Sequence, residues 1–146
     1  AMANPTTYDA DFYLWTQQQA ALLRQGSLTE LDAAHLLDEI EDMGASSRRA
    51  MESYLRNVIL HLLKWRHQPE RRGTSWRLSI RDGRHQLAKR VKDSPSLRQK
   101  IPDMVGDEYP LAREDAAAET GLPVATFPDA CPFSVEQVLD ADYWPD

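Results

Sequence analysis

The densest chemistry in this chain lies in HLLKWRHQPERRGTSW, residues 61 to 76, where two histidines and two tryptophans stand among Lys64, Arg66, Arg71 and Arg72. Imidazole can serve as a general base or metal ligand, guanidinium groups hold carboxylates and phosphates through forked hydrogen bonds, and indoles anchor interfaces or stack on bases. His61 is the sharpest single residue. It sits within VILHLL, one turn from Val58 and Trp65, so its ring is expected to leave water and to need a partner for its N–H and lone pair. Glu41 is the expected partner, with Asp38 or Glu39 behind it. His61 and Glu41 together form the catalytic candidate, a base oriented by an acid. The favoured reading of the same pair is a polar tie that fixes the register of two helices.

A metal site can be assembled from His35 and Glu39, four residues apart on one helix face, with His61 or His67 added from the next helix. The spacing is His-x-x-x-Glu, and no second helix supplies a matching Glu and His together. Such pairs arise by chance on acidic helices, so no metal and no other cofactor is expected; histidine donors would favour zinc or a first-row ion over calcium. Nucleophilic catalysis has little support, because Cys131 lies between Ala130 and Pro132 and no serine stands in a nucleophile elbow. As the only cysteine, Cys131 also excludes an intramolecular disulfide and a cysteine-based zinc site, and it suits a reducing cytoplasm.

The remaining group is cationic and aromatic: Lys64, Arg71, Arg72, Trp76, Arg77, Arg81 and Arg84, with His85 close by. Three readings compete. Nucleic acid or a phosphorylated ligand fits the donors, yet no helix-turn-helix spacing, glycine-rich phosphate loop or ribonucleoprotein motif accompanies them. Internal pairing would set the arginines against Glu39, Glu41 and Asp42, or against Glu108, Glu114 and Asp115. The third reading is a surface for a protein partner, since Trp and Arg dominate contact energies at interfaces. Charge patterning bears on the choice: residues 1–46 carry a net −7, residues 47–101 a net +11 and residues 102–146 a net −10. In one fold the acidic flanks are expected to cancel much of the basic middle's field.

These residues must be positioned by helices. DADFYLWTQQQAALLRQG offers Asp9 or Asp11 as an N-cap, apolar Phe12, Trp15, Ala20, Leu22 and Leu23, and Gly26 as a stop. LDAAHLLDEIEDMG places Ala33, Leu36, Leu37, Ile40 and Met43 at helical spacing, with Gly44 as an end or bend. Ser46 or Ser47 then caps a helix in which Met51, Leu55, Val58, Leu62 and Trp65 recur at alternating steps of four and three. Pro69 ends it, ERRG turns the corner, and Thr74 or Ser75 caps a helix with Trp76, Ile80, Leu87 and Val91 inward and Arg77, Arg81 and Arg84 on a neighbouring face. Asp93 to Pro95 breaks the chain again. Pro102 and Pro110 predict a short first piece and then a helix near 103 to 119, kinked or started afresh at Pro110, with Gly121 as its cap.

The tail LPVATFPDACPF is expected to lie extended, with SVEQVLDA as a short terminal helix and Phe133, Tyr143 and Trp144 as anchors. No useful strand alternation occurs. The expected fold is all-α, a bundle of about four or five main helices forming one domain over 1–146. No stretch approaches the roughly 20 apolar residues of a membrane span and the amino end lacks a signal-peptide pattern, so a soluble, cytoplasmic protein is expected. Ala1 and Met2 read as an addition before the natural start.

Three segments in order, EIEDMG at 39–44, HLLKWRHQPERRGTSW at 61–76, and AAAETGLP with FPDACPFSVEQVLDADYWP, carry a resemblance to a bacterial family. From about Tyr8 to Pro145 the chain closely resembles the domain of unknown function number twenty-nine. The resemblance implies a small all-helical fold, spread through cyanobacteria and proteobacteria, and implies no activity. Pro102 and Pro110 in the last long helix depart from the family pattern. The combined reading is a non-enzymatic module that binds a protein partner through the basic and aromatic corner. A metal protein or enzyme centred on His61 and Glu41 is the alternative, as is a nucleic-acid binder using the arginine face, and homo-oligomers are left open.

Overall fold

A computed structural model describes residues 5–146 and holds helices and turns but no strand among them; Ala1 and Met2 lie outside the described residues. The helices are α1 Pro5–Ala10, α2 Phe12–Gln25, α3 Ala33–His67, α4 Thr74–Asp93, α5 Ile101–Thr120 and α6 Val135–Leu139. Single 3-10 turns at Leu28–Glu30, Pro69–Arg71 and Val124–Thr126, and a longer one at Pro95–Lys100, join them. The all-α class expected from periodicity is the class observed. Contacts divide the chain into two compact units, the first ending at Ser46 and the second beginning at Ser47.

In the first unit Asp11 caps α2, its carboxylate accepting from the Leu14 N–H, and Gly26 ends the helix at φ 73°, a left-handed turn that glycine adopts without a Cβ penalty. Trp15 is buried, and its indole N–H donates to Asp32 at 3.0 Å. Asp32 also accepts the His35 backbone N–H at the start of α3, while its own N–H donates to the buried Gln19 side chain at 2.8 Å. One carboxylate thus fixes α2 against the first turn of α3.

The largest departure from expectation is α3 itself. Two helices parted at Gly44 were expected; one helix of 35 residues is found, with Gly44, Ser46 and Ser47 in its interior. A single glycine in a helix costs only about 1 kcal/mol relative to alanine, and the regular apolar pattern on both sides outweighs that. The apolar stripe expected to face a core along 33–44 is largely uncovered, with Leu37 56%, Ile40 64% and Met43 71% exposed. The same seam continued into the second unit is covered: Met51, Leu55, Val58, Leu62 and Trp65 are all buried.

That second half of α3 packs in one apolar cluster with Ile80 and Leu87 of α4, Met104 and Ala112 of α5, and Phe127, Phe133 and Val138 of the tail. Trp76 and Val91 lie half-buried against it. Helix α4 is capped by Gly73 rather than by Thr74 or Ser75, with no side-chain cap. Helix α5 runs through Pro110 without restarting. The carbonyl that proline deprives of a partner is that of Gly106, and both residues are exposed, so water can serve it. Gly121 ends α5 at φ 75°, and Ser134 and Gln137 form a reciprocal capping box on α6.

Close approach of α4 to α3 depends on Gly83. A Cβ built there would lie 2.4 Å from Val58 Cγ2, and Val58 is fully buried and stiff about χ1. Gly83→Ala is therefore expected to destabilise the protein by about 1–3 kcal/mol, reversing the usual helix gain of glycine to alanine. Urea unfolding checks this, and Gly83→Ala should cost less in a Val58→Ala background; additive losses would show that the two residues do not meet.

Candidate functional site

The end of α3 leaves backbone carbonyls without helical partners, and the chain returns a guanidinium to one of them. The 3-10 turn Pro69–Arg71 brings Arg72 back so that Nε donates to the Trp65 carbonyl at 2.7 Å, a cation placed at the negative end of the helix dipole. Arg72 and Arg77 both lie over the Trp65 ring, at 5.2 and 5.6 Å from its centre. Lys64, expected at the surface, is buried: Nζ donates to Glu119 at 2.9 Å and stands 5.0 Å from the Trp76 ring. These contacts hold α3, α4 and α5 at one corner.

Arg84 was expected on the exposed arginine face and is instead 4% exposed. Its Nε donates to the Val138 carbonyl, Nη1 to Tyr143 and Nη2 to Gln137, each at 2.9 Å. Burial pulls its pKa down, opposed by the field of Asp140. Four residues after Ile80 and three before Leu87, Arg84 shares the inner face with both rather than the outer face with Arg81. It clamps the tail, and its ring contact with Trp144 at 5.7 Å adds to the Trp144–Trp65 pair, 4.7 Å between centres.

His61 does not meet Glu41. Side chains on one helix meet at separations of three and four, and these two are twenty apart on α3. The His61 Nδ1 lies 2.8 Å from the Asn57 carbonyl one turn back, so Nδ1 carries the hydrogen. The catalytic pair and the helix-to-helix tie therefore both fail on geometry. The metal candidate is likewise not brought together: His35 Nδ1 is 2.7 Å from Asp32 and its ring stacks on Tyr8, while Glu39 accepts from the Tyr8 hydroxyl, and His61 belongs to neither contact. Among the described residues no group of three or more His, Cys, Asp or Glu is arranged to hold a metal ion. The Tyr8 hydroxyl is pushed up to about 12, chiefly by its hydrogen bond to Glu39. Burial works to raise the Asp32 carboxyl, but hydrogen bonds from His35 and Trp15 outweigh it and hold it below its ordinary value.

Arg71, Arg77 and Arg81 remain exposed. No ion pair joins any of them to a carboxylate among the described residues, so the internal pairing expected for the arginine cluster is found at other cations: Lys64–Glu119, Arg56–Glu108 and Arg98–Glu136. Beside Arg81, a groove of about 660 Å³ runs between α4 and the tail, lined by Leu78, Arg81, Asp82, Arg84, His85, Ala88, Leu139 and Ala141. A second hollow of about 330 Å³ continues it past Ala88 to Val91, Lys92 and Arg98. Its floor is apolar and its rim mostly cationic. Sequence reasoning missed Leu78, Ala88, Lys92 and the tail residues here. The outward stripe 78, 81, 85, 88 and 92 was readable from helical spacing, whereas the wall supplied by Leu139 and Ala141 follows only from how Arg84 docks the tail.

Fold and site together define an all-helical protein with a basic, apolar-floored groove on one face. The chain matches the family model described as Domain of unknown function DUF29 over residues 7–144, and it belongs to that family. No curated protein and no solved structure matches it.

Arg84→Met should strand three tail carbonyls and lower stability by about 2–4 kcal/mol. It should also release the segment after Leu139 to limited proteolysis under native conditions; a tail that stays protected would assign its docking to Trp144 and Val138 instead. Acid should weaken the fold through His67, which packs edge-on against Phe127 with its Nε2 buried and without a hydrogen-bond partner among the described residues. Burial, with Arg66 nearby, holds its pKa below 6.5. A depressed histidine binds fewer protons folded than unfolded, so its contribution is full above pH 6.5 and is lost as pH falls from there through the folded value. Thermal melts from pH 7 to pH 5 should therefore fall less steeply for His67→Gln than for the parent protein.

Proposed function

We propose that the chain is a non-enzymatic binding module whose groove between α4 and the tail receives an acidic, amphipathic helix of a protein partner. The observation that carries this reading is the pairing of an apolar floor, Leu78, Ala88 and Leu139, with the free rim cations Arg81 and Lys92. An amphipathic helix buries its apolar face in such a groove, and flanking carboxylates meet the cationic rim, which sets orientation and rate of encounter. Arg71 and Arg77 are also exposed, Arg77 over the Trp65 ring, and add to the cationic surface. Lys64, Arg72 and Arg84 serve this surface indirectly, through the corner and the tail that they hold.

A fluorescent synthetic helix with leucine at every third and fourth position and glutamate between should bind the protein, measured by anisotropy, while its lysine counterpart does not. Arg81→Glu with Lys92→Glu should weaken binding by about tenfold or more, equivalent to about 1.4 kcal/mol, with the melting temperature nearly unchanged. Equal binding of both peptides, or tighter binding of single-stranded RNA than of the acidic helix, would overturn the reading.

A further inference from the structure

The chain itself carries a segment with the chemistry that this groove selects. In the first half of α3, Leu37, Ile40 and Met43 are more than half exposed and recur at steps of three along one side of the helix. Asp38, Glu41 and Asp42 stand exposed around them. Glu39 is half-buried and held by Tyr8, so it does not join them. From the groove reading above, on which the inference rests, we infer that the acidic stripe around Ile40 of one copy docks in the basic groove of a second copy.

Charge decides the geometry of this contact. The stripe bears Asp38, Glu41 and Asp42, and the free cations of the groove, Arg81 and Lys92, outnumber its one lining carboxylate, Asp82, so stripe and groove attract. Pairing the stripe with its own copy across a twofold axis would set Asp38 and Glu41 against carboxylates, and like charges at that range repel. Stripe into groove instead joins two different faces, so each contact sets carboxylates against cations. One face of one helix buries less than the roughly 1,200 Å² of a stable interface, so the contact is weak and rapidly exchanging, and salt screens it. Self-association also fills the groove, so a partner helix must compete with the chain's own stripe.

Sedimentation velocity of the full chain over a concentration series tests this at low and high salt. The sedimentation coefficient should rise with concentration at about 0.05 M salt and return to the monomer value near 1 M, where the Debye length falls to about 3 Å. The pair Asp38→Lys and Glu41→Lys should abolish association, and so should Arg81→Glu with Lys92→Glu. Mixing the two double variants should restore it, because a basic stripe then meets an acidic groove and the remaining acidic stripe meets the remaining basic groove. Circular dichroism confirms that each variant is folded, and the restored mixture independently shows that neither has lost its docking face. A wild-type chain that stays monomeric throughout the series, or association that survives the groove reversal, overturns the inference. If the wild type is monomeric while the synthetic acidic helix still binds and the groove reversal still weakens it, the self-contact is wrong and the groove reading stands. Failure of both measurements removes the groove reading as well.

Discussion

A guanidinium withdrawn from water is costly unless its N–H groups find acceptors in the right plane. Arg84 finds three, all of them backbone carbonyls of the tail, spread over Gln137, Val138 and Tyr143. Because the acceptors straddle the end of α6, the fork fixes both the short helix and the turn after it. Val138 is thereby set into the core, Trp144 against Trp65, and Leu139 beside Ala88 as a wall of the groove. A five-residue helix has little stability of its own. Its capping box at Ser134 starts it, and Arg84 gives it a place to stay.

The position of Arg84 depends in turn on Gly83, the residue before it. Gly83 lets the α4 backbone come against Val58, so the depth at which the guanidinium enters is set by a missing side chain. The other cations of the corner are spent similarly on local work: Arg72 finishes α3, and Lys64 ties α3 to Glu119 of α5. Of the candidate binding cations the surface keeps Arg71, Arg77 and Arg81 for solvent, a smaller set than a row of arginines in sequence suggests.

The part of the fold that sequence made legible is the part that repeats. Met51, Leu55, Val58, Leu62 and Trp65 follow the helical period and are buried together. Gly26 and Gly121 announce helix ends because both sit at positive φ, where other residues are strained. Gly44 carries the same letter without that geometry, and taking it for an ending placed Glu41 and His61 on facing helices when they share one. The Arg84 clamp was illegible for a different reason: its acceptors are backbone carbonyls, which every residue possesses, so no side-chain pattern marks them. The exposed stripe at Leu37, Ile40 and Met43 was seen as apolar periodicity, but periodicity says that a face seeks cover and not whether this chain supplies it.

The Trp65–Trp144 contact has an optical side. The two indoles are 4.7 Å apart and tilted by 44°, close enough for their electronic transitions to couple and skewed enough for the coupled transitions to be chiral. Arg72 and Arg77 place positive charge over one ring and Arg84 over the other, so the two chromophores also sit in a strong local field. The docked tail thus writes its own spectroscopic label into the protein, and the groove wall it forms can be followed by light without any added probe.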